Sequence, residues 1–210
     1  SHDWVWSVYL DNEGSLWVGT DGGGLNRFNH AEETFTHFRH DPENPASISN
    51  DRVRSIYQDA RGTYWIGTDG GGLNRFDPNS GTFTRFRHNE SEEDSLPGDT
   101  VLAIYEDSKG KLWVGTDNGL ARMDHARAKF VRYSHDPSVP GSLSNNQVRS
   151  IYEDNRNQLW IGTYKGGLNL FERGSNQFRH YQHDHANPYS LSHDRVRDIY
   201  QDSEGTLWIA

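Results

Sequence analysis

The sequence predicts an all-β protein built from one four-stranded antiparallel unit, repeated along the chain. Three observations predict it. The stretch "LWVGTDGGGLNRF" at 16–28 returns as "YWIGTDGGGLNRF" at 64–76. Trp17, Trp65, Trp113, Trp160 and Trp208 follow one another at spacings of 48, 48, 47 and 48 residues. Short runs rich in β-branched and aromatic residues are separated by turn residues, and no 10-residue stretch has helical periodicity. A period of about 20–50 residues marks a solenoid or a propeller. The leucines after the glycines (Leu25, Leu73, Leu120, Leu168) each lie 40 residues before the next tryptophan. The residue missing from the third repeat therefore falls in the glycine loop, where "TDNGL" replaces "TDGGGL". The repeats are 1–48, 49–96, 97–143, 144–191 and a partial 192–210.

The second repeat shows each element in order. Its strands are predicted at 53–59 ("VRSIYQD"), 63–68 ("TYWIGT"), 72–76 ("GLNRF") and 82–87 ("TFTRFR"). The first and second strands are joined by an acid turn, D-x-x-G: Asp11/Gly14, Asp59/Gly62, Asp107/Gly110 and Asp202/Gly205, with Asp154/Asn157 in the fourth repeat. The carboxylate accepts backbone N–H groups, and glycine supplies the positive φ of a tight hairpin. Asparagine tolerates left-handed φ next best, so the exchange at Asn157 points to a backbone requirement. The glycine loop joins the second and third strands. A phosphate-cradling loop opens a helix; these glycines open another strand, and the loop recurs because it is a turn. The link to the next repeat is longer, about thirteen residues, as in 40–52.

Four antiparallel strands per period suggest a propeller blade. Stacked blades are expected to bury the first and second strands on both faces, which suits apolar runs such as "LWVG" and "YWIG". Polar residues in the fourth strand (Thr36 and His37, Thr84 and Arg85, Arg179 and His180) suit a wetted outer edge.

Composition excludes several classes. Hydrophobic residues make up only 32%, so the core must rely on rings, of which there are 7 Trp, 10 Tyr and 9 Phe. A net charge of −9 argues against a nucleic-acid or anionic-membrane surface. Cysteine is absent, which excludes disulfides and thiolate chemistry. No apolar run approaches the ~18 residues of a membrane span. The chain does not start with Met and shows no signal peptide, which fits a processed or excised piece of something longer.

The phrase "VRSIYQDARGTYWIGTDGGGLNRFDPNSGTFTRF" resembles the two-component regulator propeller repeat, and the resemblance recurs in every repeat. It implies a seven-bladed propeller, often one of two in series, in the periplasmic sensor part of a hybrid histidine kinase or of a diguanylate cyclase receptor. It also implies a ligand that is a glycan fragment in several members. The chain departs from the family in having four complete repeats and two strands of a fifth. A self-closed ring is therefore not expected. Either missing blades of a longer chain or other copies of this chain are the expected partners.

Loops on one face around the central opening are the expected binding surface. In the first strands, the residue after the leading valine is Arg54, Leu102, Arg149 and Arg197, but Trp6 in the first repeat. Two residues earlier stand Arg52, Thr100, Gln147 and Arg195, but Trp4. Trp4 and Trp6 are either stacking platforms for a sugar ring or packing for a preceding blade. Tyr164 and Lys165 replace Asp-Gly in the fourth glycine loop, an aromatic and a cation suited to a polar ligand, with surface drift as the alternative. The five arginines are expected either to clamp carboxylate or sulfate groups or to pair with Asp51, Asp194 or Asp198. His40, His88, His135 and His183 recur once per repeat, which argues for a structural role and against one convergent metal site. His180, His183 and His185 are the local metal candidate, and the acid turns lack calcium-loop spacing. No nucleophile, base or unique acid pair stands out, so neither catalysis nor a cofactor is expected. The reading is therefore a ligand-sensing or interaction module of a bacterial signalling receptor, binding a polar ligand on the loop face; a pure assembly scaffold and a propeller lyase or hydrolase are the alternatives.

Overall fold

The computed structural model describes residues 3–126 and 128–210. Four four-stranded sheets follow one another: β1 (Val5–Leu10), β2 (Leu16–Thr20), β3 (Leu25–Asn29) and β4 (Thr34–Phe38); β5 (Val53–Gln58), β6 (Tyr64–Thr68), β7 (Gly72–Asp77) and β8 (Thr82–Phe86); β9 (Val101–Glu106), β10 (Leu112–Thr116), β11 (Gly119–Asp124) and β12 (Lys129–Tyr133); β13 (Val148–Glu153), β14 (Leu159–Thr163), β15 (Leu168–Glu172) and β16 (Gln177–Tyr181). A two-stranded sheet, β17 (Ile199–Gln201) and β18 (Leu207–Ile209), comes last. Strands pair antiparallel in sequence order within each sheet. These are propeller blades, and the described residues include no helix. Nor is there among them a helix long and apolar enough to cross a membrane.

Each acid turn is built around its carboxylate. Asp59 Oδ1 accepts the Arg61 and Thr63 amides at 3.0 and 2.8 Å, and Oδ2 accepts the Trp65 indole N–H at 2.8 Å. Asp11, Asp107, Asp154 and Asp202 hold Trp17, Trp113, Trp160 and Trp208 in the same way at 2.7–2.9 Å. Gly14, Gly62, Gly110, Asn157 and Gly205 all have positive φ. In the glycine loop it is the last glycine that cannot be replaced: Gly72 has φ +80°, and a Cβ there would stand 2.1 Å from the Phe86 carbonyl oxygen.

The core lies between blades. Trp17 packs against Tyr64 and Phe76 of the next blade at ring distances of 5.2 and 5.7 Å, and Trp113 meets Phe171 at 5.0 Å. Fully burying one such ring contributes about 1.5–3 kcal/mol. The second strands of the second and third blades, Tyr64–Thr68 and Leu112–Thr116, are buried throughout. The first strands are less so: Val53–Gln58 holds two buried and four half-buried residues. The innermost strand nonetheless meets both neighbouring blades, Tyr57 standing between Tyr9 and Tyr105 at ring distances of 6.3 and 6.1 Å.

The link between blades is stitched down. His40, His88, His135 and His183 bond through Nδ1 to the carbonyls of Ile48, Leu96, Leu143 and Leu191 at 2.7–2.8 Å. The fourth strand of the next blade grips the same link. Phe83 N–H donates to the Ala46 carbonyl at 2.7 Å, and Arg85 Nε donates to that of Ser47 at 3.0 Å. Arg132 and His180 repeat the grip on Ser95 and Ser142, both at 2.7 Å. Of the fourth-strand residues expected to form a wetted edge, Thr36, His37, Thr84 and Arg179 are exposed, while Arg85 and His180 are half-buried clamps.

Candidate functional site

In each of the four complete blades the pairing of the first and second strands slips by one residue near its start. The shifts lie between Val5 and Ser7, Val53 and Ser55, Val148 and Ser150, and, read from the partner strand, opposite Leu102. The extra residues are Trp6, Arg54, Leu102 and Arg149. A bulge re-aims the side chain it carries, and here it sends one column of side chains toward the central opening. Trp6, Arg54, Leu102, Arg149 and Arg197, with Tyr164, line a cavity of about 410 Å³.

Charge across this face is uneven. The Arg54 guanidinium lies 3.4 Å from the centre of the Trp6 ring and bonds the Asp69 carboxylate at 2.6 Å. Burial alone would raise the Asp69 carboxyl, yet its bond and charge interaction with Arg54, helped by Thr100 and Arg52, hold it below its ordinary value. Arg52 meets Asp21 of the preceding blade at 3.3 Å. Over the fourth blade the pattern changes. Arg149 and Arg195 stand 5.1 and 5.0 Å from the Tyr164 ring, and the Lys165 ammonium stands 5.9 Å from it. Cation–π contact replaces ion pairing there.

The candidate residues thus separate into groups. Trp6, Arg54, Arg149, Tyr164 and Arg197 converge on the cavity, with Arg195 and Lys165 bordering Tyr164. Arg52 is drawn to Asp21, and Trp4, 67% exposed, is outside the lining. The carboxylates expected to pair with the arginines do other work. Asp51 and Asp194 accept the His40 and His183 amides, both at 2.7 Å, and Asp198 accepts the Ile199 amide at 2.9 Å. The pairing carboxylates are those of the glycine loops, because these loops lean over the start of the first strand: the Asp69 amide donates to the Arg52 carbonyl at 2.9 Å.

The histidine candidates separate too. His183 Nε2 lies 3.1 Å from His185 Nδ1, while His180 turns away to the preceding link. Among the described residues no group of three or more metal-ligating side chains converges. Sequence reasoning missed the bulges and the indole–carboxylate bond. The constant six-residue offset from each acid-turn aspartate to its tryptophan was the available signal for the latter.

A family model described as two component regulator propeller matches residues 1–22, 47–70, 95–118, 142–165 and 190–210. No curated protein matches the chain. Among solved structures, the extracellular domain of a protein described as a one component system from B. thetaiotaomicron superposes with TM-score 0.79 at 22% identity, over 99% of this chain and 26% of that one. The extracellular domain of a hybrid two component system from the same organism gives TM-score 0.71 at 26% identity, over 98% of this chain and 32% of that one. Virginiamycin B lyase from Staphylococcus aureus gives 0.71 at 14% identity, over 98% of this chain and 62% of that one, a likeness of fold. The chain thus spans about a quarter to a third of the two B. thetaiotaomicron domains.

Proposed function

Because the chain belongs to the two component regulator propeller family, we propose that it is an extracytoplasmic, non-enzymatic sensing segment of a bacterial signalling receptor. The observation that carries this reading is the convergence of Trp6, Arg54, Leu102, Arg149 and Arg197 on one cavity of about 410 Å³. These residues occupy the same place in five repeats yet differ in chemistry, which lines the cavity with a ring face and several guanidinium groups. Ring faces and guanidinium groups together suit a polar, ring-bearing ligand such as a short oligosaccharide. Binding shifts the propeller's packing against its neighbour by no more than the ligand's differential affinity for the two states. An oligosaccharide panel titrated into the chain, followed by amide chemical shifts, tests this. Shifts centred on the cavity, and an affinity weakened roughly tenfold in Trp6→Ala, are expected. Turnover of any panel member, or shifts confined to the outer strands, would sink the reading.

A second reading, assembly with another copy, rests on the end faces. Val5, Val8 and Phe35 are exposed where their counterparts Val53, Ile56 and Phe83 are buried by a preceding blade. Trp208 is 60% exposed where Trp65 is 2%. These two faces are the complementary halves of the interface that repeats inside the chain.

A further inference from the structure

Three glycine loops carry an aspartate after the threonine (Asp21, Asp69, Asp117), whereas the fourth carries Tyr164. Arginines approach that position from two directions, one at each of two loops. Arg54 approaches Asp69 from its own blade, and Arg52 approaches Asp21 from the following blade. Both approaches recur at Tyr164, from Arg149 in its own blade and from Arg195 in the following one, and there they meet a ring in place of a carboxylate. Lys165 replaces the glycine of the first two loops and adds a third cation. Among the described residues no carboxylate bonds Arg149, Lys165, Arg195 or Arg197, and Arg149 Nε is buried without a hydrogen-bond partner. This cluster stands on a chain of net charge −9. Like charges gathered round one ring repel one another, and an anion relieves that repulsion while filling guanidinium donors that are otherwise unused.

We propose that the Tyr164 sector of the cavity is an oxyanion subsite, taking a carboxylate, sulfate or phosphate group on Arg149, Arg195 and Arg197, with the tyrosine ring as its floor. The inference rests on the loop-face reading and narrows it. The ligand carries an anionic group, and that group lies over the fourth blade, because Asp69 already neutralises Arg54 over the second.

The test is a titration of the intact 210-residue chain with inorganic sulfate, inorganic phosphate and acetate in turn. Ionic strength is held constant with chloride, and amide shifts are the readout. Saturable shifts around residues 149, 164, 195 and 197 are expected with at least one anion, and the anion preferred identifies the source. Tyr164→Asp restores the aspartate of the other loops and should weaken binding at least about tenfold. Asp69→Tyr frees Arg54 and should create a second responding sector; thermal melting checks that both variants fold. No saturable shift with any of the three anions, or equal affinity in Tyr164→Asp, overturns the subsite. A neutral oligosaccharide that shifts the Trp6 side while the anions do nothing overturns it too, and leaves the loop-face reading standing.

Discussion

A single carboxylate organises each acid turn, and in two blades it also ties that blade to the next. Asp11 Oδ2 takes the Trp17 indole at 2.8 Å and the Tyr64 hydroxyl of the following blade at 2.7 Å. Asp107 takes the Trp113 indole at 2.9 Å and Arg173 of the following blade at 2.7 Å. Burial pushes both carboxyls up, but these hydrogen bonds outweigh it and hold both below 3.8. A carboxyl lowered in the folded state stabilises the fold only while ionised. Its contribution is complete above 3.8 and disappears as the pH falls through the lowered values. At the other end, burial pushes the Tyr57 hydroxyl from 10.0 up to about 12. Its contribution is complete below 10.0 and disappears as the pH rises through about 12. Melting temperature measured against pH should therefore be flat between these limits and fall on both sides. A Tm unchanged down to about pH 2 would contradict the acid limb.

At the scale of the element, the second strand's glycine marks where two blades touch. A Cβ on Gly67 would stand 2.6 Å from Val101 Cγ1 of the next blade, and Gly19, Gly115 and Gly162 face Val53, Val148 and Val196 equally closely. Gly67→Ala should cost about 1–3 kcal/mol by overpacking, read as a lower urea midpoint. Gly70→Ala is the control: its φ is +79° with nothing within 4 Å of the added carbon, so only the backbone cost applies. Equal, near-zero losses in the two variants would contradict the contact. Strand order, acid turns and glycine loops were legible in the sequence, because each is a local pattern that recurs. The bulges at Trp6, Arg54, Leu102 and Arg149 were not, since a slipped register depends on the partner strand as well. Nor were the clamps Arg85, Arg132 and His180, whose partners lie 37 or 38 residues earlier in the chain.

For the whole molecule, repetition makes both ends chemically complementary. The face with Val5, Val8 and Phe35 matches the surface each inner blade presents backward, and Trp208 matches the one presented forward. Contact between unlike faces of two copies is head-to-tail. Light scattering should give a mass that rises above 24.1 kDa with concentration. Val8→Asp, which puts a charge on the backward face, should return it to 24.1 kDa. A mass of 24.1 kDa at every concentration for the unmodified chain would rule out self-association through these faces.

By itself the sequence determined the period, the four strands of each blade, the turns, and the column in which Trp6, Arg54, Leu102, Arg149 and Arg197 stand, because all of these are encoded at fixed offsets along the chain. Only the tertiary structure decided which of those arginines are free. Arg54 and Arg149 occupy equivalent positions and carry the same charge. They differ because the glycine loop leaning over one presents Asp69 and over the other Tyr164. Ion pairing is set by distance through space, and the fold alone supplies that distance.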